Sequence, residues 1–379
     1  MKAAGDEATS RRRAARFAAP LAGFVRDLAR GDSEALAGAL PLLADGERLT
    51  EIEHHHLAGY VYLRLREAGL LERVAPEPRR RLREYYTRQW LRTERLLFEL
   101  RGLQAACAAA GLPLLLLKGP GFAQRYYGRW DCRASSDIDL LVRPRDLERA
   151  CEIVQRCGFD LRSWMPYGQL LARRFVHHIE FAKGGLPLDL HHVARSHPAF
   201  RLDEEPLWAS ALPLALCGLE IRVPDDAHAL LFLLLSIHQD LGIGTLTLRQ
   251  LLDLFLLLRA LGSGFDWAGF AAARRRDGTW RICLNVLSLC LRAFGAETDH
   301  PEASRLLAEN ARELLIPSGG DLLALFREYR FFRNKYWCFR LYPGSLAVTL
   351  GWWLAGLPVR YTAYRSTSLT RVLAKRYPG

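Results

Sequence analysis

The stretch Arg-Ala-Ser-Ser-Asp-Ile-Asp-Leu-Leu-Val at residues 133–142 joins two acidic residues to a short apolar run. Successive side chains of a strand point to opposite faces, so the sequence predicts a short strand with Asp137 and Asp139 on one face. Ile138 and Leu140 then point into the core. Two carboxylates about 7 Å apart along a strand repel each other unless a cation lies between them, and Mg²⁺ binds carboxylate oxygens. The alternative is that one Asp is a turn residue and the other is an exposed charge at a sheet edge.

The segment before this stretch predicts a second strand and a turn. Residues 112–117 are apolar throughout, and Lys118-Gly119 follows them. Pro120 is a favoured first residue of a helix, so the order is strand, glycine turn, helix. Backbone N–H groups at such a turn, together with the helix dipole, favour a phosphate, and Lys118 adds a positive charge. The order brings phosphate donors and the acidic pair to the same end of one sheet.

The remaining periodicity is mostly helical. Apolar spacing predicts a long helix over 78–110 and another over 145–157, and helices again from residue 224 onward. The first 80 residues also have a helical composition. Strands at 175–182 and 186–193, separated by Lys-Gly-Gly, predict a hairpin.

Composition indicates a globular protein with room for two or three domains. Of 379 residues, 50% are hydrophobic and 25% are charged. The apolar runs at 230–237 and 346–359 are shorter than the roughly 20 residues of a membrane-spanning helix, and no secretory signal opens the sequence. The eight cysteines form no Cys-x-x-Cys pair, which favours reduced, buried thiols over a disulfide or zinc framework. We therefore expect a cytoplasmic protein.

The positive charge is concentrated in the C-terminal tail. The net charge is +12, and residues 327–379 hold ten lysines and arginines against one acid, Glu328. The same tail contains nine aromatic side chains from Tyr329 to Trp353, which favours a helical layer packed on the core. A nucleic acid or an anionic membrane surface bound by the tail is an alternative that the sequence favours less.

Four pieces of sequence together resemble a family of proteins. Lys118-Gly119 ends an apolar strand, Arg133 lies four residues before Asp137, and a later strand reads Leu-Asp-Leu-His at 188–191. With Asp-Ile-Asp-Leu-Leu-Val, this pattern resembles a bacterial, largely uncharacterised nucleotidyltransferase family within the DNA polymerase β-type nucleotidyltransferase superfamily. The resemblance covers residues 84–200.

The resemblance implies a fold and a division of the chain. The fold is α+β, with a small mixed-sheet nucleotidyltransferase core flanked by predominantly helical segments. The core would span 84–200, after an N-terminal helical segment at 1–83. A C-terminal helical domain with the basic aromatic tail would span 201–379.

The resemblance also implies site residues and cofactors. The metal ligands and catalytic carboxylates would be Asp137, Asp139 and Asp189, with Mg²⁺ or Mn²⁺ as the metal. The residues that contact the nucleoside triphosphate would be Lys118, Gly119, Arg133, Ser136 and His191. The superfamily's usual Gly-Ser after the first strand is replaced by Lys-Gly here, so a phosphate-binding serine hydroxyl is missing at that turn.

The implied reaction is transfer of a nucleoside monophosphate from a triphosphate to an acceptor, with release of pyrophosphate. The acceptor offers a hydroxyl or another nucleophile and is a small molecule, a peptide or a protein; the sequence does not choose among them. The alternative function is a catalytically inactive nucleotide-binding or partner-binding protein on the same fold.

Two further features stay open at this level. The histidines at 177, 178, 191 and 192 and Glu180 gather on the predicted hairpin, where orientation of the substrate by His191 is favoured over a zinc site. Asp253 lies among helical leucines, where it either caps a packed helix network or contacts the active site.

Overall fold

The computed structural model describes residues 21, 23–162, 178–194, 200–243 and 245–314. The beginning of the first predicted hairpin strand, including His177, and the basic tail at 327–379 lie outside these residues. The predictions made for them are not tested by the structure.

The N-terminal part is helical, as the sequence predicts. After a helical stretch at 23–30, the helices are α1 (Ser33–Ala44), α2 (Gly46–His54), α3 (Ala58–Glu67) and α4 (Pro76–Ala109). Pro76 occupies the first turn of α4, where its missing N–H breaks no helical hydrogen bond. The buried residues in the second half of α4 recur at helical spacing, and they are Leu96, Leu100, Leu103 and Cys107.

Seven strands form one mixed sheet. They are β1 (Leu115–Leu116), β2 (Ile138–Leu141), β3 (Asp160–Leu161), β4 (His178–Lys183), β5 (Leu186–His191), β6 (Leu212–Leu216) and β7 (Leu219–Val223). Their order in the sheet is β3-β4-β5-β2-β1-β7-β6. Strand β2 is antiparallel to β1 and parallel to β5, and β1 is parallel to β7. This mixed sheet with flanking helices confirms the predicted α+β fold class.

The hairpin of β6 and β7 is not among the predicted strands. It extends the sheet past residue 200, where the sequence-based division ends the core. Its two-residue turn is Cys217-Gly218, and both residues have positive φ, 52° and 76°. Asn-Gly and Asp-Gly are the usual sequences for such a turn. Because a cysteine occupies the first position here, the sequence does not predict the hairpin. The division of the chain into three segments remains a prediction.

Helices cover the sheet and complete the C-terminal part. Around the sheet lie α5 (Pro120–Tyr126), α6 (Leu147–Arg156) and α7 (Glu204–Ser210). The C-terminal helices are α8 (Asp226–Ile243), α9 (Leu248–Leu261), α10 (Trp267–Asp277), α11 (Trp280–Phe294) and α12 (Pro301–Glu309). Short 3₁₀ turns lie at Leu71–Arg73, Pro144–Asp146, Gly262–Gly264 and Ala311–Glu313.

The apolar core has two main parts. One joins α4 and α6 to the strands, with Leu100, Ile138 and Leu188 fully buried. The other joins α1–α3 to α8–α12, so that Leu36 and Leu63 share a cluster with Leu257. The N-terminal and C-terminal helices therefore bury their apolar faces together, although the whole sheet separates them in the chain.

No helix among the described residues is both long enough and apolar enough to span a bilayer.

Candidate active site

Two carboxylates and an imidazole meet on neighbouring strands of the sheet. Strands β2 and β5 are parallel and place Asp139 directly beside Asp189. His191 lies two residues beyond Asp189 and therefore on the same face. The ligand atoms of these three side chains all lie within 4.8 Å of one another, and Nε2 of His191 is 3.2 Å from Oδ1 of Asp139. Ile138, Leu188 and Leu190 fill the opposite face and are fully buried.

Asp137 lies outside this cluster. The predicted strand starts one residue later, at Ile138, and Asp137 occupies a bend just before it. Its Oδ1 accepts a hydrogen bond of 3.0 Å from the Ser136 hydroxyl, and its side chain is half-buried. Asp137 therefore lies at the entrance to β2, close enough for its negative charge to help raise the pKa of Asp189. Its role as a metal ligand stays a prediction, and the structure adds a second pairing, Asp139 beside Asp189 on the neighbouring strand.

The surroundings shift the pKa values of Asp139 and Asp189 in opposite directions. Burial raises the pKa of Asp189 to about 6, and the negative charge of Asp139 adds to this effect, while His191 opposes it. Burial also acts to raise the pKa of Asp139. That effect is outweighed by Lys118, by the hydrogen bond and charge of His191 and by Arg133, which together hold the pKa of Asp139 well below its usual range. Asp139 is thus a permanent anion, whereas Asp189 titrates near neutrality.

The turn after β1 lies beside this acidic pair. Nζ of Lys118 is 3.8 Å from Oδ1 of Asp139, and the Lys118 side chain is 38% exposed. Gly119 has φ 70° and ψ −136°, a conformation that is accessible to glycine and strained for other residues. The predicted proximity of the turn to the acidic residues is what the structure shows. The helix that follows, α5, has only seven residues.

Arg133 takes part in a buried ion pair. Its Nε and Nη2 donate to the two carboxylate oxygens of Asp253 at 2.8 and 3.0 Å, and Asp253 is fully buried. The Tyr127 hydroxyl donates to the same carboxylate at 2.6 Å. Of the two alternatives for Asp253, these contacts favour the packed network. The ion pair connects α9 to the loop before β2. Two guanidinium nitrogens of Arg133 are therefore used by Asp253, and a nucleotide contact by Arg133 stays a prediction.

The other histidines of the hairpin divide between two faces, as alternation along a strand requires. His178 is opposite His191 across β4 and β5, with the ring centroids 5.2 Å apart. Nε2 of His178 lies 3.5 Å from Glu180. His192 is buried on the other face. Among the described residues, only Asp139, Asp189 and His191 bring three metal-binding side chains together.

Comparison with known proteins gives a family match by sequence and weak matches by structure. Residues 45–295 match the family described as uncharacterised nucleotidyltransferase. No curated protein matches the chain. Among solved structures, the crystal structure of ANT(2'')-Ia in complex with adenylyl-2''-tobramycin is 19% identical, with a TM-score of 0.36, and covers 47% of this chain and 95% of that one.

The solution structure of the same antibiotic-resistance factor, ANT(2'')-Ia, gives similar values: 19% identity, a TM-score of 0.36, and coverage of 48% of this chain and 93% of that one. Overall similarity of this size does not indicate a shared substrate. The family match is different in kind, because it spans more than half of the chain and includes the acidic centre, the Lys118-Gly119 turn and the Arg133–Asp253 pair. The protein belongs to the uncharacterised nucleotidyltransferase family.

Proposed function

We propose that the protein transfers a nucleoside monophosphate from a nucleoside triphosphate to an acceptor nucleophile, with the help of Mg²⁺ or Mn²⁺. The observation that carries this proposal is the meeting of Asp139 and Asp189 on adjacent parallel strands, with His191 beside them and ligand atoms within 4.8 Å. Such a placement of like charges costs free energy unless a cation lies between them.

The residues present fit a divalent cation. Asp139 offers a carboxylate that is already ionised, and Asp189 offers a second one whose pKa of about 6 permits ionisation at neutral pH. Oxygen ligands suit Mg²⁺, and an added imidazole suits Mn²⁺ as well. A bound divalent ion would supply charge stabilisation for the reacting phosphate and would lower the pKa of a hydroxyl bound to it.

The chain's own groups account for the rest of the reaction. The acceptor hydroxyl attacks the α-phosphorus, a new P–O bond forms, and the bond to the β-phosphate breaks so that pyrophosphate leaves. The carboxylate of Asp189 suits a general base that takes the proton of the attacking hydroxyl. Lys118 provides a positive charge beside Asp139, where it can bind a phosphate oxygen. The acceptor remains unidentified.

The test uses the full-length protein with α-phosphate-labelled ATP, GTP, CTP or UTP and Mg²⁺ or Mn²⁺. Label transferred to small molecules or proteins of a bacterial lysate is read by chromatography and mass spectrometry. We expect transfer by the wild type, its loss in Asp189→Asn, and no change in Asp160→Asn, which removes an exposed carboxylate from the edge strand β3. Thermal stabilisation by a nucleotide with no transfer to any acceptor would support the inactive binding protein instead.

A further inference from the structure

A concave site lies against the loop that leads into β2, the strand of Asp139. It has a volume of about 300 Å³ and lies between α4, the start of α9 and the loop that leads into β2. Three arginines line it, namely Arg88, Arg92 and Arg249, and no acidic side chain of the described residues does. We call this site the arginine pocket. A concave site lined by cations alone attracts anions.

The arginines have spare hydrogen-bonding capacity. Arg92 uses Nη2 to donate to the Ser136 carbonyl at 2.8 Å, and Arg249 uses Nη1 to donate to the Ala134 carbonyl at 2.8 Å. The Nε of Arg249 is buried and lacks a hydrogen-bond partner. No carboxylate of the described residues lies within 4 Å of Arg88, Arg92 or Arg249. An anion in the pocket would find five donors on each guanidinium, of which few are used.

A hydroxyl in the pocket wall also lacks a partner. Ser135 is only 6% exposed, lines the arginine pocket, and its Oγ makes no hydrogen bond among the described residues. A buried hydroxyl without a partner costs free energy, and an anion in the pocket would remove that cost. The same side chain is the one that a Cβ at Gly119 would meet first, with Oγ 3.6 Å away. Ser135 therefore lies between the glycine turn and the pocket.

The positive charge of the arginine pocket helps lower the pKa of a histidine in its wall. His56 lines the pocket and hydrogen-bonds through Nδ1 to the Tyr85 hydroxyl at 3.0 Å. Burial lowers the pKa of His56, and the positive charges of Arg249 and Arg92 lower it further. The pocket therefore favours a negative group even with its histidine neutral.

The pocket is adjacent to the acidic centre through Ser136. This residue lines the pocket, and its hydroxyl donates to Asp137 at 3.0 Å, two residues before Asp139. We propose that the arginine pocket is a phosphate subsite that receives the terminal phosphates of the nucleoside triphosphate, an inference that rests on the nucleotidyl transfer proposed above. The pocket then binds the part of the nucleotide that leaves as pyrophosphate.

The test measures binding of inorganic pyrophosphate to the full-length protein by isothermal titration calorimetry. Ionic strength is held constant, because salt weakens such contacts. Arg88 and Arg92 are exposed, so we expect the double variant R88A/R92A to keep the fold, which circular dichroism checks. The control, R83A/R149A, removes two exposed arginines from α4 and α6 that do not line the pocket. We expect the dissociation constant to rise roughly tenfold or more in R88A/R92A, since each lost bond involves a charged group, and to stay near the wild-type value in the control.

A second variant, Ser135→Ala, tests the hydroxyl alone. Because Oγ has no partner, we expect an unchanged or higher melting temperature together with weaker pyrophosphate binding. Equal pyrophosphate affinity in the wild type and R88A/R92A, or an equal loss in the control, overturns the subsite.

Binding of nucleotides to the variants distinguishes a phosphate of the nucleotide from a phosphate carried by the acceptor. A loss of affinity for the triphosphate but not for the monophosphate in R88A/R92A assigns the pocket to the nucleotide. A loss for pyrophosphate alone overturns that assignment and indicates a phosphate carried by the acceptor. If the wild type transfers no nucleotide yet R88A/R92A still loses pyrophosphate, the proposed activity fails and the subsite stands. If the wild type transfers nucleotides and R88A/R92A binds pyrophosphate normally, the subsite alone fails.

Discussion

The carboxylates of Asp139 and Asp253 are both buried, and the protein surrounds them in opposite ways. Asp253 accepts two hydrogen bonds from Arg133 and one from Tyr127, all between 2.6 and 3.0 Å. Asp139 has Lys118 at 3.8 Å and His191 at 3.2 Å, and a second carboxylate, Asp189, beside it on the next strand. Asp253 is fully paired, which fits a structural role, whereas Asp139 and Asp189 have one lysine, Lys118, beside two carboxylates, which supports the proposed cation site.

The largest expected effect is a loss of stability, and it tests the structural role of Asp253. Asp253→Ala leaves Arg133 charged and buried with no partner, so we expect the free energy of unfolding to fall by about 3–5 kcal/mol, measured by urea denaturation. Replacement of both partners, in Arg133→Met with Asp253→Leu, should restore most of the loss, because no buried charge is then left unpaired. Equal stability of the single variant and the wild type would contradict the structural role.

The second effect concerns activity. Asp139→Asn removes a ligand of the proposed metal site. Loss of a residue that only holds a metal ligand in place lowers activity by up to about 100-fold. Because Asp139 is itself a proposed ligand, we expect nucleotidyl transfer to fall by at least that much. The protein should remain folded by circular dichroism at the assay temperature. Direct measurement of Mn²⁺ binding by electron paramagnetic resonance should show weakened binding in Asp139→Asn and normal binding in the edge-strand control Asp160→Asn.

The smallest effect is a dependence of stability on pH in the metal-free protein. The pKa of Asp189 is about 6 in the folded chain against an ordinary value of about 3.9. The stability that this group contributes is therefore present below about pH 4 and is lost as pH rises through 6. Asp189→Asn stays neutral, so in EDTA we expect it to be more stable than the wild type at pH 7.5 by about 1 kcal/mol or less, since the side chain is partly solvated.

That advantage should vanish as the pH is lowered to 4, which thermal melts across the pH range would show. An advantage that is the same at every pH would mean that the ionisation of Asp189 is not its cause. With saturating Mn²⁺ the order should reverse at pH 7.5, since the metal stabilises only the wild type.

The sequence predicts much of this fold because strand alternation and helical spacing depend only on residues that are close together in the chain. The alternation in Leu-Asp-Leu-His indicates correctly which side chains of β5 are buried, since a strand fixes the facing of its residues. Strand β2 is buried on both faces, Asp139 included, which alternation alone does not show. Helix α4 follows from its apolar spacing, and its observed bounds, Pro76–Ala109, differ from the predicted ones by only a few residues. The β6–β7 hairpin was missed because its turn uses Cys217, an unusual residue at positive φ.

Contacts between distant segments could not be predicted in the same way. The register that sets Asp139 against Asp189 joins strands 50 residues apart, and the Arg133–Asp253 pair joins residues 120 apart in the chain. Spacing alone carries no information on either. The arginine pocket was missed for the same reason: Arg88 and Arg92 look like ordinary charges of an exposed helix face until Arg249 is seen beside them. The family resemblance did group Asp139 with Asp189, and for the other contacts the local signal was Arg249 and Asp253, charged residues near the start of a leucine-rich helix.

The core shared by α1–α3 and α8–α12 has a consequence for how the chain matures on the ribosome. Leu36 and Leu63 can pack against the C-terminal part of their cluster only after Leu257 and its neighbours have been synthesised. At about 5–20 residues per second, roughly 10–40 s pass in which the first helices have emerged without those partners. The sheet, encoded between them, is complete at Val223 and can form during that wait. Synthesis from the N-terminus therefore favours a nascent chain in which the sheet folds first and the N-terminal and C-terminal helices pack together last. We expect chaperones to bind the helices that emerge earliest.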